Sequence, residues 1–203
     1  MDHFYTIALG ICVGIGLSAS CGFRIFVPML VMSIAAKAGA LTLSAEFAWL
    51  ESWGAIIGLS VATILEVGAY YIPWLDNALD TVTTPSAAIA GTVTAAACFT
   101  EIDPFLQWSL ALIAGGGSAG VISTGTTAVR GISTVTTGGF GNFVVATGEL
   151  LASLFMSLLS IVFSIGAAIL AIILVGFSLR YAIRWLTGKR SKGDTGEPDA
   201  KPA

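Results

Sequence analysis

Four charged side chains lie within long apolar stretches of the sequence, where a charge is costly if the stretch crosses a membrane. They are Arg24, Glu66, Arg130 and Glu149. An arginine near the centre of a bilayer costs about 2.5–3.5 kcal/mol on insertion scales, so it normally faces a protein interior, a wet cavity or a carboxylate partner. We expect these four side chains to line a polar cavity that binds a small anionic solute or a lipid headgroup.

A purely structural role explains the same four residues equally well. In this alternative, Arg24 and Arg130 sit at helix ends and reach out to the lipid headgroups. Otherwise, they form buried ion pairs with the two glutamates. The sequence alone does not decide between these alternatives and the anion site.

The segment TTGGFGN, residues 136–142, is the most distinctive local motif. Gly138, Gly139 and Gly141 permit backbone conformations that other residues avoid, and successive N–H groups in such a turn can form an anion-binding concavity. Asn142 is well placed to cap the helix that follows. We include these four residues in the predicted anion site, although a tight loop between two helices also explains the motif.

Other kinds of chemistry are not indicated. His3 is the only histidine, which excludes a histidine-based metal cluster and a Ser–His–Asp triad. Asp76 and Asp80 stand four residues apart, but a hard cation needs more oxygen ligands than two carboxylates supply, so we expect a solvated loop. No P-loop, dinucleotide fingerprint or CxxC motif is present. We therefore predict no metal, no cofactor and no catalytic residue.

The elements that must position these residues are predicted from the composition. The chain has 203 residues, of which 56% are hydrophobic and 10% charged, whereas a soluble domain has about 25% charged residues. This excludes a disordered chain, a disulfide scaffold and a basic nucleic-acid-binding protein. It indicates an all-α, polytopic transmembrane bundle of about six to eight helices, with broken or re-entrant segments.

Apolar stretches and polar breaks predict where the helices lie. The first half of the chain is expected to form two segments between Phe4 and Ala36 with a break at 18–22, and then a helix over 53–72. A polar connection over 72–85 leads to a helix over 86–99. A membrane segment over 105–124, a polar stretch over 124–142 and a hairpin over 150–179 that turns near 160–166 follow. Aromatic residues at these boundaries are typical of an interfacial belt. They are Trp49, Trp53, Tyr70, Tyr71, Trp74, Trp108, Tyr181 and Trp185.

Basic residues are concentrated near the C-terminus. Six of the nine Lys and Arg residues lie between Arg180 and Lys201, and positive residues beside a membrane helix favour the cytoplasmic side. We predict a multi-pass inner-membrane protein with a transmembrane domain over 1–188. Residues 189–203 lack large apolar side chains and are expected to form a disordered cytoplasmic tail.

An internal repeat is suggested by sliding the chain along itself by 106 residues. Arg24 then falls on Arg130, and Gly10 and Gly14 fall on Gly116 and Gly120. Chance matches are common in a glycine-rich chain, so an internal duplication and coincidence are equally acceptable interpretations. A duplication would fit transporters in which broken helices from two halves meet near the midplane.

Several motifs resemble the bacterial membrane-protein family called domain of unknown function 4126. They are SASCGFRIFVP at 18–28, Ser52–Trp53, IPWLD at 72–76, Thr84–Pro85 and TTGGFGN. The resemblance covers nearly the whole chain except the charged tail. It implies a polytopic inner-membrane protein, and it brings no activity, substrate or catalytic residues.

The sequence therefore favours a small transporter or channel for an anionic solute or lipid headgroup. A non-transporting scaffold or assembly factor, with glycine-rich helix faces as contact surfaces, is the alternative. An intramembrane enzyme that uses a carboxylate such as Glu149 is less favoured. The expected partners are the lipid bilayer, a small anionic substrate and further copies of the chain, but no nucleic acid.

Overall fold

The structure is a computed structural model that describes residues 2–193, and the side chains within that range except those of 2–3, 73–78, 80, 181–182 and 185–193. Residues 194–203 of the predicted tail lie outside the described residues, as do the side chains of Trp74, Asp76, Asp80, Tyr181 and Trp185.

Every regular element in this part of the chain is helical, as predicted. The α-helices are α1 (Asp2–Cys21), α2 (Phe26–Lys37), α3 (Trp53–Ala69), α4 (Pro73–Cys98), α5 (Pro104–Leu110), α6 (Gly117–Thr137), α7 (Asn142–Val162) and α8 (Ser164–Gly193). A 3-10 helix, Ala45–Glu51, precedes α3, and a π-helical segment, Ala111–Gly116, joins α5 to α6.

Three of the helical stretches are long and apolar enough to cross a membrane: Phe4–Cys21, Pro104–Thr137 and Asn142–Val162. The 3-10 helix and α3, bent by 70° relative to each other, would form a fourth if counted as one span. Large apolar side chains on the outer surface, including Ile64, Val162 and Phe177, are more than two-thirds exposed. These features describe a membrane protein built as a helix bundle.

The sequence predicts a break in each of two long apolar stretches, and both stretches are divided into two helices. The first break lies later than predicted: α1 continues through residues 18–21 and ends at Cys21, and α2 begins at Phe26. Helix α7 ends at Val162 and α8 begins at Ser164, inside the expected turn near 160–166.

The predicted polar connection over 72–85 is wrong. These residues form the first half of α4, which runs unbroken to Cys98. Pro73 opens that helix, a position where the missing N–H group of proline costs nothing. Pro85 lies inside the helix, where it removes only one backbone hydrogen bond.

The segment predicted to end at Thr124 continues to Thr137. Its hydroxyl groups do not end the helix, because several of them donate back to carbonyls of the same helix. Thr124 donates to Gly120 at 2.8 Å, and Thr137 donates to Ser133 at 2.7 Å. Helix α3, in contrast, ends at Ala69 and is three residues shorter than predicted.

We name the two ends of the bundle after residues in the turns that lie there. They are the Glu101 end and the Gly139 end. At the Glu101 end, a Cβ added to Gly10 would lie 2.8 Å from the carbonyl oxygen of Cys98. At the Gly139 end, the rings of Tyr71 and Phe143 stack with centroids 6.0 Å apart. Helices α1, α3 and α6 therefore run toward the Gly139 end, α7 returns, and α8 starts again from the Glu101 end.

Small residues form the centre of the bundle. Helix α1 packs against α2, α4, α6, α7 and α8, and Ala19, Ala95 and Ala119 are fully buried. Helix α4 and the π-helical segment before α6 approach so closely that a Cβ on Gly91 would lie 2.8 Å from the carbonyl oxygen of Gly115. In a membrane, small residues of this kind allow helix backbones to come into van der Waals contact.

Candidate functional site

Arg24 lies in the short turn between α1 and α2, and its side chain points into the bundle with 1% of its surface exposed. A Cβ on the neighbouring Gly22 would stand 2.7 Å from the carbonyl oxygen of Ala119, so only glycine allows this turn to press against α6. The Nη2 group of Arg24 donates to the carbonyl oxygen of Ala146 at 2.9 Å and lies 3.4 Å from Oε2 of Glu149.

Arg130 on α6 reaches the same carboxylate from another direction. Its Nε donates to Oε1 of Glu149 at 3.0 Å, and its Nη2 donates to Oε2. This is the two-pronged guanidinium–carboxylate geometry that gives strong, oriented ion pairs. Both side chains are almost completely buried.

Tyr70, one residue beyond the end of α3, holds both guanidinium groups. The Cζ atom of Arg24 lies 3.8 Å from the centroid of the Tyr70 ring, and that of Arg130 lies 4.0 Å from it. Cations over an aromatic face are attracted by the ring's electron density, more so when water is excluded. The Tyr70 hydroxyl lies 2.7 Å from Oγ1 of Thr83 on α4, which fixes the ring.

Glu66 supports the turn that carries Arg24. Its carboxylate accepts hydrogen bonds from the N–H groups of Ile25 at 2.7 Å and Phe26 at 3.0 Å. These are donors at the start of α2, where N–H groups have no partner within the helix and a negative charge is stabilised. Glu66 also lies within electrostatic range of both arginines.

The four charges predicted from the sequence are thus gathered in one place. We call Arg24, Arg130, Glu149, Glu66 and Tyr70 the arginine cluster. Two positive and two negative charges balance within it. Arg24 and Arg130 are 1% and 2% exposed, so neither reaches the headgroups, and buried ion pairing is what the structure contains.

A cavity of about 520 Å³ lies beside the cluster, between α6, α7 and α8. Its wall is mainly apolar, with Phe23, Val129 and Phe177 among the lining residues, and Glu149 is the charged residue that lines it. Because Val129 and Phe177 are 51% and 70% exposed, the cavity opens toward the apolar outer surface. Glu149 therefore contacts the two arginines and also faces this space.

The glycine-rich turn is separate from the cluster. Gly138 and Gly139 adopt positive φ angles of 62° and 92°, which is the conformational reason for glycine there. Gly138 follows Arg130 by eight residues, or about 12 Å along a helix. The N–H groups of Gly141 and Asn142 are bonded within the turn, to Oγ1 of Thr137 at 2.8 Å and the carbonyl of Gly139 at 3.0 Å.

The predicted capping role of Asn142 is wrong. Gly141 occupies the cap position of α7, with no side-chain cap, and Asn142 is the first residue of the helix. The side chain of Asn142 is buried and donates from Nδ2 to Oγ1 of Thr134 at 3.0 Å. It ties the start of α7 to the last turns of α6.

Sequence reasoning missed the role of Tyr70. It was expected at the membrane interface, but only 4% of its surface is exposed. Its spacing from Glu66 was the available signal, because residues four apart share one face near the end of a helix. Trp49, Trp53 and Trp108 are exposed, and their place in an interfacial belt stays a prediction.

The two arginines matched by the 106-residue shift meet at Glu149, but their backbones differ. Arg24 lies in a break between helices, whereas Arg130 lies inside the unbroken α6. Among the described residues, no group of three His, Cys, Asp or Glu side chains is placed to hold a metal ion.

Comparison with known proteins gives one assignment. No curated protein and no solved structure matches the chain. The model of a family described as a domain of unknown function, DUF4126, matches residues 11–184, which include the whole arginine cluster. The chain belongs to the DUF4126 family.

Proposed function

We propose that the protein is a small membrane transporter for an anionic solute, with Arg24 and Arg130 as the groups that bind it. The observation that carries this proposal is that two buried guanidinium groups share one carboxylate, Glu149, which also lines a cavity. A buried charge of this kind is expensive to maintain in a membrane and commonly marks a substrate pathway.

Glu149 acts as the resident counter-ion in this mechanism. An incoming carboxylate or phosphate presents the same oxygen geometry to the two guanidinium groups that Glu149 does. The anion takes the place of Glu149, whose side chain moves toward the cavity it already faces. When the anion leaves, Glu149 returns and neutralises the arginines, so the empty carrier is stable without a bound ion.

The turn at residues 22–25 is the element most suited to move during this exchange. It is short, it lies between two helices, and it is attached to α3 through Glu66 and to α7 through Ala146. A break between helices at a binding site is a recurrent feature of transporters. The C-terminus lies in the cytoplasm in this proposal and the protein in the inner membrane, because of the basic residues of the last helix. Association between copies of the chain stays a prediction.

Anion flux into proteoliposomes tests the proposal. Inorganic phosphate, chloride and butyrate are offered to the wild-type protein and to Arg130→Ala/Glu149→Ala, which removes one charge of each sign and leaves Arg24 within electrostatic range of Glu66. The transporter predicts flux of at least one anion above that of protein-free liposomes, and its loss in the double variant. Flux equal to protein-free liposomes for all three anions contradicts it.

A structural scaffold is the second candidate, favoured by the balanced charge of the cluster. The cluster joins the α1–α2 turn, α3, α6 and α7 through hydrogen bonds and ion pairs, and such a network fixes helix positions without any ligand. Crosslinking in membranes distinguishes this function: it predicts a stoichiometric protein partner on the bundle surface together with absent flux.

A further inference from the structure

The α6–α8 surface combines an apolar cavity with a pair of basic residues on one helix. Helices α6 and α8 both run from the Glu101 end toward the Gly139 end. Gly125 of α6 lies against Ser178 of α8, with 3.3 Å between an added Cβ and the serine Oγ. Phe177, which lines the 520 Å³ cavity, is followed on α8 by the exposed Arg180 and Arg184. Spacings of three and seven residues place all three on one face of the helix.

The level of these arginines matches the rest of the site. Counted from the contact between Gly125 and Ser178, a rise of 1.5 Å per residue places Arg180 about 3 Å and Arg184 about 9 Å toward the Gly139 end. The same count along α6 places Arg130 at about 7.5 Å. The cavity wall reaches Val129, which lies at about 6 Å by the same count. Arg180 is therefore level with the upper part of the cavity and Arg184 lies above it.

We infer that this cavity holds one acyl chain of an anionic phospholipid, and that Arg180 and Arg184 bind its phosphate. The cavity opens between Val129 and Phe177, onto a surface whose large apolar side chains are exposed. Its volume falls in the range of about 300–1,000 Å³ that is usual for small-molecule sites. Glu149 does not repel the lipid, because its charge is neutralised on its other side by Arg24 and Arg130.

The charge of the lipid follows from the two arginines, of which Arg180 lies at the level of the cavity mouth and Arg184 above it. Each basic residue near a membrane surface contributes about a fivefold increase in affinity for anionic lipid, so two contribute about 30-fold. A zwitterionic lipid with the same chains fills the cavity but gains little from the arginines. This site needs no transport, so it stands apart from the proposed function and is tested by binding alone.

Native mass spectrometry of the detergent-solubilised protein, titrated with phosphatidylglycerol or phosphatidylcholine of identical chains, tests the inference. The expected result is one tightly bound phosphatidylglycerol, with an affinity about 30-fold above that for phosphatidylcholine. Arg180→Ala/Arg184→Ala is expected to bring the two affinities close together, and Arg180→Lys/Arg184→Lys to keep most of the difference.

The cavity itself is tested by filling it. A Cβ on Gly148, which lines the cavity, meets no atom within 4 Å, so Gly148→Leu occupies the space without a clash in the backbone. Gly176→Leu is the matched control, since Gly176 is equally open and is not part of the cavity wall. We expect Gly148→Leu to lose the tight lipid and Gly176→Leu to keep it.

Equal affinity of the wild-type protein for the two lipids, or wild-type binding by Gly148→Leu, overturns the inference. Should Gly148→Leu not fold, the comparison of the two lipids and the arginine variants still decides.

Discussion

Arg24 and Arg130 lie against the same tyrosine ring, Tyr70, and against the same carboxylate oxygen of Glu149, although 106 residues separate them in the chain. One comes from a turn and the other from the middle of a helix. Their convergence explains how a chain with so few internal charges buries two arginines: each has a carboxylate and an aromatic ring as partners, and the cluster as a whole is neutral.

Removal of Arg130 alone is expected to destabilise the protein strongly. Arg130→Ala leaves Glu149 without its two-pronged partner, and breaking a buried ion pair costs about 3–5 kcal/mol. Thermal unfolding in detergent measures the loss. The double variant Arg130→Ala/Glu149→Ala should lose less than the sum of the two single variants, because the remaining charges of the cluster, Arg24 and Glu66, still balance. Additive losses would mean that the two side chains are not coupled.

Two substitutions of Tyr70 separate the contribution of its ring to stability from that of its hydroxyl group. Tyr70→Phe keeps the ring under both arginines and loses the hydrogen bond to Thr83, a cost of about 1 kcal/mol. Tyr70→Leu also loses two cation–π contacts, each worth about 0.5–2 kcal/mol. Equilibrium unfolding should therefore rank the wild type above Tyr70→Phe and Tyr70→Phe above Tyr70→Leu. Equal stability of the two variants would argue against the cation–π contacts.

Glu66 should stabilise the turn that carries Arg24 against local opening. The N–H groups of Ile25 and Phe26 donate to different oxygens of Glu66, and in Glu66→Gln one of these oxygens is replaced by an amide NH₂, which cannot accept. Hydrogen exchange of at least one of these two amides should speed up by about tenfold, the effect of losing about 1.4 kcal/mol of local stability. The exposed Glu46 offers a matched control, Glu46→Gln, which should leave both amides unchanged. Unchanged exchange in Glu66→Gln would contradict the capping role.

Close contact between α4 and the π-helical segment that leads into α6 predicts opposite effects for two glycines. A Cβ on Gly91 would come within 2.8 Å of the backbone oxygen of Gly115, whereas one on Gly117 meets nothing within 4 Å. Gly91→Ala should cost about 1–3 kcal/mol through overpacking. Gly117→Ala should be neutral or stabilise the helix by up to about 1 kcal/mol. Unfolding curves of the two variants check this, and a Gly91→Ala as stable as the wild type would show that the helices can separate freely.

The class of fold was predictable because it depends on composition, and so were the helix breaks marked by Gly22 and by the serine and glycine residues near Phe163. The first half of α4 was not predictable, because its polar residues follow Pro73 and resemble a loop. Only when Pro73 is recognised as the start of a helix do they fit α4. The charged members of the site were predictable as costly residues in apolar stretches. Tyr70 was not, because a tyrosine near a helix end usually faces the membrane interface, and only the tertiary contact with two arginines turns it inward.

Competition between Glu149 and an external anion is the central claim, and the anion affinity of Glu149→Gln tests it most directly. Glutamine has nearly the same shape and no charge, so the arginines lose their resident counter-ion. Titration calorimetry with inorganic phosphate, chloride and butyrate should give at least about a tenfold higher affinity than the wild type for the transported anion, a difference of about 1.4 kcal/mol. Arg24→Ala/Glu149→Gln should lose that gain. Equal affinities of the wild type and Glu149→Gln, or no binding by either, would contradict the account.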